Sequence, residues 1–215
     1  HPHYDHYSGF NYYINTNMID NKTVVYINLR HKIANHNFNN LLSQLNNLGV
    51  VIIEPFRQNS CNNIRILYPD SQNINNNLSL NDLSSVYNIS FDEESFFVFP
   101  GDIETAGWKS MDVHACCPYM TTPHFYAISH HGSINGHKRN MLCQCSHAYI
   151  NDIKDCLHKN TITVLMGRDK AFSGIYAQQV LNDFKGRILF SEKNPHNQTV
   201  KFLEIDLISK AYQWY

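Results

Sequence analysis

The chain has 215 residues, 43 % of them hydrophobic and 13 % aromatic, with a formal net charge of −1. That length accommodates one well-packed domain rather than two of ordinary size, and the apolar fraction excludes a disordered chain. The near-neutral balance excludes an overall positive field that recruits duplex nucleic acid, and no run approaches the ~18 apolar residues a membrane helix needs.

In chain order, residues 10–22 are polar and aromatic and read as a loop or the start of a helix. Residues 23–29 are a β-branched run and predict a strand. Phe38, Leu41, Leu42, Leu45 and Leu48 then recur at spacings of three and four, one face of a helix. Asn35 or Asn37 is its expected cap and Gly49 its left-handed stop. Residues 50–53 predict a buried strand, so residues 23–54 read as strand, helix, strand, the unit of an α/β domain. Residues 64–67 predict a short strand ended by Pro69, and residues 70–80 a polar, asparagine-rich loop.

Residues 85–90 and 95–99 both alternate and predict an antiparallel hairpin, whose second strand delivers Gly101 and Asp102 at its end. A helix is expected from Glu104 to about Cys117, with Asp102 or Thr105 near its start. Residues 124–129 read as a strand leading into His130 and His131. Residues 134–146 read as a polar loop in which Lys138 and Arg139 are solvated and His137 is exposed. Residues 147–158 predict a helix carrying Ala148, Ile150, Ile153 and Leu157 on one face. A strand at 161–166, a helix at 175–184 and strands at 187–190 and 199–205 complete a single α/β domain over 1–215, without repeat or linker.

The six cysteines are Cys61, Cys116, Cys117, Cys143, Cys145 and Cys156. No pair of C-x-x-C units occurs, which argues against a zinc ribbon. Cys143-Gln144-Cys145 reads as reduced structural thiols, with a redox or metal role as the alternative. A reducing compartment fits, and a cytoplasmic location is expected.

The most informative stretch is the first. His1, His3, Asp5 and His6 form the pattern H-x-H-x-D-H, four groups able to hold a divalent metal within six positions. In an extended or turned segment His1 and His3 point the same way, and Asp5 and His6 sit on the following turn. Imidazole with carboxylate suits zinc, manganese or iron without a thiolate. Tyr4 and Tyr7, beside these residues, offer flat faces for stacking a base or for core packing.

That string resembles the signature of the metallo-β-lactamase-fold hydrolases, and later stretches resemble one branch of them. Gly101-Asp102-Ile103-Glu104 is similar to a G-D-x-E motif, and His130-His131-Gly132-Ser133 to the H-H-G-S motif of the ComEC-type group, the hydrolase domain of bacterial DNA-uptake channels. Ile66-Leu67-Tyr68-Pro69 and Asn81-Asp82-Leu83-Ser84-Ser85-Val86 resemble two further segments of that group. The resemblance covers residues 1 to about 135. It implies an αββα four-layer sandwich, two facing sheets with helices outside and metals at one edge, whose N-terminal strands precede His1 and fall outside the numbering.

By the same resemblance His1 and His3 hold one metal, Asp5 and His6 a second, and Asp102 bridges them. A bridging carboxylate spaces two cations at ~3.5–4 Å, where a shared hydroxide becomes nucleophilic near neutral pH. His131 is favoured over His130 as the histidine facing the site, as ligand or as proton donor, so Asp5, His131 and His130 are the catalytic candidates. The sequence departs from the wider fold in two places. Only His31 and His36 lie between the opening string and Asp102, and Gly167-Arg168-Asp169-Lys170-Ala171-Phe172 stands without a histidine where a final motif is usual. The expected cofactor is one or two zinc ions, with manganese an alternative. The expected activity is hydrolysis of phosphodiester bonds in nucleic acid or nucleotides. Ester, thioester or lactam hydrolysis, or a degenerate domain kept for binding or assembly, are the alternatives.

Overall fold

The computed structural model describes residues 3–29, 35–60, 63–69, 78–91, 94–111, 122–143, 147–167, 173–196, 198–200 and 203–215. It opens with two short helices, α1 (Tyr4–Tyr7) and α2 (Phe10–Asn15). Strand β1 (Val24–Tyr26), helix α3 (His36–Asn47) and parallel strand β2 (Val51–Ile53) follow, the expected strand–helix–strand unit. Helix α3 begins where the sequence provides a cap: the Asn35 side chain accepts from the amides of Asn37 and Phe38. It stops at Gly49, whose φ of 72° is left-handed. Phe38, Leu41 and Leu45 bury one face of α3 against Val25, Ile27 and Val50 of the small sheet. Strand β2 is not the buried strand expected. Val24 and Val51 pair across the two strands and both are about half exposed, because a two-stranded sheet with one helix covers only one of its faces.

The larger sheet has six strands in the order β10-β9-β6-β5-β4-β3. They are β3 (Ile64–Tyr68), β4 (Val86–Phe91), β5 (Glu94–Phe99), β6 (Phe125–Ala127), β9 (Ile162–Leu165) and β10 (Ile188–Phe190). Strands β3, β4 and β5 are antiparallel, with the predicted hairpin at β4–β5, and β5, β6, β9 and β10 are parallel. Val98, Tyr126 and Leu165 join one core with Trp108 of helix α4 (Thr105–Ser110) and with Val180 of a helix at Gln178–Asp183. Phe96, Phe97, Phe125 and Val164 form a second, under the hairpin of β11 (Leu203–Ile205) and β12 (Tyr212–Trp214). The strand β12 was not anticipated from sequence. The protein is thus a mixed α/β structure, and no helix among the described residues is long and apolar enough to cross a membrane.

Four further sequence expectations are corrected. Residues 134–143 are not a loop but helix α5 (Ile134–His137) running into strand β7 (Lys138–Cys143). Residues 147–158 are not a helix: β8 (Ala148–Asp152) pairs antiparallel with β7, and a 3-10 turn (Ile153–Cys156) follows. The spacing of Ile150, Ile153 and Leu157 mimics a helix, but pairing with β7 decides the backbone, as Lys138 Nζ bonds Asp152 Oδ1 at 2.6 Å across the ladder. Helix α4 ends at Ser110, with Met111 already extended, instead of continuing toward Cys117; residues 112–121 lie outside the described residues. The helix expected at 175–184 is the shorter α6 (Gln178–Asp183). Cys143 and Cys156 are both buried, and the other four cysteines lie outside the described residues.

Candidate metal centre

Helix α1 is a single turn, so Asp5 and His6 leave it side by side. Across from them β5 ends in Pro100 and Gly101, and Gly101 (φ 59°) turns the chain so that Asp102 points back. The segment 81–86 holds this loop. Ser84 Oγ accepts from the Asp102 amide at 3.1 Å, and Asp82 Oδ1 accepts from the Gly107 amide at 2.7 Å, at the N-terminal end of α4. Asn81 Nδ2 donates to Glu104 Oε1 at 3.0 Å. Asn28 Nδ2 reaches over from the small sheet to the Leu83 carbonyl at 3.0 Å.

His131 arrives from the end of β6. The backbone after Ile128 enters a left-handed turn in which His130 (φ 48°), His131 (φ 49°) and Gly132 (φ 74°) follow one another. Non-glycine residues held there cost about 1–3 kcal/mol each, a strain that persists only where the surroundings impose it. They do so here. Ser129 Oγ donates to the Ile103 carbonyl at 2.6 Å, and the His130 amide to the Gly101 carbonyl at 3.1 Å. On the other side, the amides of Tyr176 and Ala177 donate to the carbonyls of His131 and Gly132.

These two arms bring Asp5, His6, Asp102 and His131 together, with one ligand atom of each within 4.8 Å of all the others. His6 Nε2 is 3.1 Å from Asp102 Oδ2 and 3.7 Å from Asp5 Oδ2. His131 Nε2 is 3.4 Å from Asp5 Oδ2 and 3.6 Å from Asp102 Oδ1. Around a zinc ion with ligand bonds of ~2.0–2.1 Å, the edge of a coordination tetrahedron is about 3.3 Å. The four separations bracket that value, and two imidazole nitrogens with two carboxylate oxygens are a donor set suited to zinc or manganese.

His131 supplies the decisive test of fit. Its Nδ1 lies 3.2 Å from the Met166 carbonyl, which can only accept, so that nitrogen carries the proton. The other ring nitrogen, Nε2, is thereby aimed at two carboxylates. That atom is buried and has no hydrogen-bond partner. That arrangement is attractive only with positive charge at Nε2, supplied by a proton on the ring or by a metal ion held between the imidazole and the carboxylates. Gly167 (φ 114°) permits this ring position, because a Cβ there would stand 2.9 Å from His131 Nδ1. The protein fits a divalent cation at this place.

Burial of Asp102 by itself would raise its carboxyl, but His6, backed by His131 and His130, holds it below the usual 3.8. Burial also lowers His3 below its ordinary 6.5, although Asp5 and Asp102 pull the other way, so its imidazole is kept in the neutral, metal-ready form. His3 borders the group without being one of the four. His1 lies outside the described residues, as do His31 and residues 168–172, while His36 bonds Asn40 within α3. His130 turns the other way from His131, its Nδ1 2.9 Å from Glu104 Oε1 and its Nε2 3.5 Å from Asn81 Nδ2. Sequence reasoning missed Glu104 as the contact of His130 and the Met166 carbonyl as the partner of His131.

The expectation that His137, Lys138 and Arg139 are exposed is corrected. His137 is buried and bonds Asp183 at 2.9 Å, and Lys138 and Lys154 bond Asp152 and Asp183. Those two lysines already neutralise the second histidine–carboxylate group, so it reads as a structural network joining α5, β8 and α6. Arg139 is 1 % exposed and lies against Trp108, with its donors on Cys156 Sγ and Met141 Sδ.

No protein-family model and no curated protein matches this chain.

Proposed function

We propose that this protein is a metal-dependent hydrolase of phosphodiester bonds in nucleotides or nucleic acid, on a metallo-β-lactamase-type αββα fold of the ComEC-type branch. The observation that carries the reading is the convergence of Asp5, His6, Asp102 and His131 within 4.8 Å, with the His131 ring held by the Met166 carbonyl and its Nε2 aimed at Asp5 and Asp102. Asp5, His6, Asp102 and His131 would hold the cation, with His3 bordering them. When bound, a zinc or manganese ion supplies Lewis acidity toward a phosphoryl oxygen and an acidified water.

The chain's own residues do the rest. Asp102, its amide tied to Ser84, keeps two oxygens presented to the two histidines and is the natural bridge if two ions bind. The left-handed turn fixes His131 and His130 on opposite sides of one peptide. His130, held by Glu104 and Asn81, is a positioning residue of the turn that aims His131.

The test is hydrolysis of bis-p-nitrophenyl phosphate by the zinc- or manganese-loaded chain, beside a chromogenic lactam. Expected is turnover of the phosphodiester, abolished by chelator and by Asp102→Ala. Preference for the lactam overturns the substrate class. Metal-dependent turnover retained in full by Asp102→Ala overturns the site.

A further inference from the structure

A cavity of about 290 Å³ opens onto the metal-ligand group, with His6, Asp102 and His131 in its wall. Much of the rest of the wall is aromatic. Tyr7 and Phe10 come from α1 and α2, Phe38 from α3, Tyr26 from β1, and Tyr87 and Phe99 from β4 and β5. Six distant positions therefore face one space between the N-terminal layer and the antiparallel half of the large sheet.

Two properties of this wall restrict what it can hold. Among the described residues no lysine or arginine lines it. A polynucleotide needs a positively charged groove that tracks its backbone, whereas one phosphate needs only the cation at its own site. Second, the wall is not purely apolar. The Tyr7 hydroxyl is buried without a hydrogen-bond partner. An aliphatic or plain aryl group placed against it would leave that hydroxyl unsatisfied, while a heterocycle with polar edges can meet it. Burial pushes Tyr87 up to about 12, so this phenol adds no charge to the wall.

We infer that this cavity receives the base of a small nucleotide diester whose phosphate lies at Asp5, His6, Asp102 and His131. The inference rests on the hydrolase reading of that group and narrows it. Stacking between the base and the aromatic wall supplies the affinity, and the polar edge of the base meets Tyr7. Phe10, on the short α2 and only partly buried, contributes to stacking with the least involvement in the core.

The experiment is equilibrium binding of adenosine 5′-monophosphate and of ribose 5-phosphate to the zinc-loaded full chain, followed by calorimetry. Adenosine 5′-monophosphate is expected to bind at least about fivefold more tightly, the lower end of what one base–aromatic stack contributes. Phe10→Ala should bring the two ligands to within about twofold of each other while leaving ribose 5-phosphate binding and zinc stoichiometry unchanged. Tyr7→Phe gives a second, gentler probe and should weaken only the base-bearing ligand. Equal binding of the two probes by the wild type overturns the inference, as does a preference that survives both substitutions. A short single-stranded oligodeoxynucleotide that binds far more tightly than the mononucleotide, with a steep salt dependence, also overturns it. If the zinc-loaded chain hydrolyses bis-p-nitrophenyl phosphate but shows no preference for the base, only this inference fails. If the base preference holds without any hydrolysis, the cavity assignment stands and the hydrolase reading fails.

Discussion

Replacing Gly167 with alanine disturbs one ligand of the candidate centre without touching a charged group. At the φ of 114° found there an added Cβ would lie 2.9 Å from His131 Nδ1 and 3.3 Å from its Cγ. A non-glycine residue in that region costs about 1–3 kcal/mol in backbone strain. The imidazole must also swing away, breaking its bond to the Met166 carbonyl, which contributes about 0.5–1.5 kcal/mol. Together the variant should lose about 1.5–4.5 kcal/mol of stability. A metal-binding histidine deprived of its carbonyl partner also loses orientation, typically about 10–100-fold in metal affinity. Urea unfolding in chelator measures the first loss, and competition for zinc against a chromophoric chelator, under conditions where the variant is folded, measures the second. A variant that is destabilised yet binds zinc as tightly as the wild type would refute the orienting role given to Gly167 and Met166.

Two further outcomes follow from buried groups away from the centre. Burial keeps His137 below 6.5 despite the opposing pull of Asp183, so its contribution to stability is complete above 6.5 and is lost as pH falls from there through its lowered value. In chelator the melting temperature should fall between about pH 7 and pH 5, and His137→Gln should flatten that slope; parallel slopes would assign it to another group. Arg139 is a buried cation whose Nη2 has no partner and whose Nη1 donates to a thiol at 2.8 Å. Arg139→Met should therefore be neutral or stabilising by about 1–4 kcal/mol in thermal unfolding, and a loss of that size would mean the guanidinium is compensated.

Much of the centre was legible because its parts are local motifs. Asp5 and His6 on one turn, Asp102 after Gly101 and His131 after a buried strand each had a pattern of their own, and α3 carried both its cap and its stop. The choice between His130 and His131 depended on two consecutive left-handed residues, which the sequence G-S after them only hints at. Residues 147–158 were misread because Ile150, Ile153 and Leu157 satisfy helical spacing, while the pairing that overrides it comes from β7. His137 was misread for a related reason: its burial comes from Asp183, forty-six positions away on α6. The aromatic wall of the cavity left no motif at all, since its members come from six elements and converge only in the fold.

The most direct test of the central claim is calorimetric titration of the metal-stripped chain with zinc, beside His131→Ala and Asp102→Asn. Expected is at least about one equivalent bound by the wild type at micromolar or tighter dissociation constant, with binding weakened by about 100-fold or more in each variant. A wild type that takes up neither zinc nor manganese, or variants that bind as it does, would contradict the assignment of Asp5, His6, Asp102 and His131 as a metal centre.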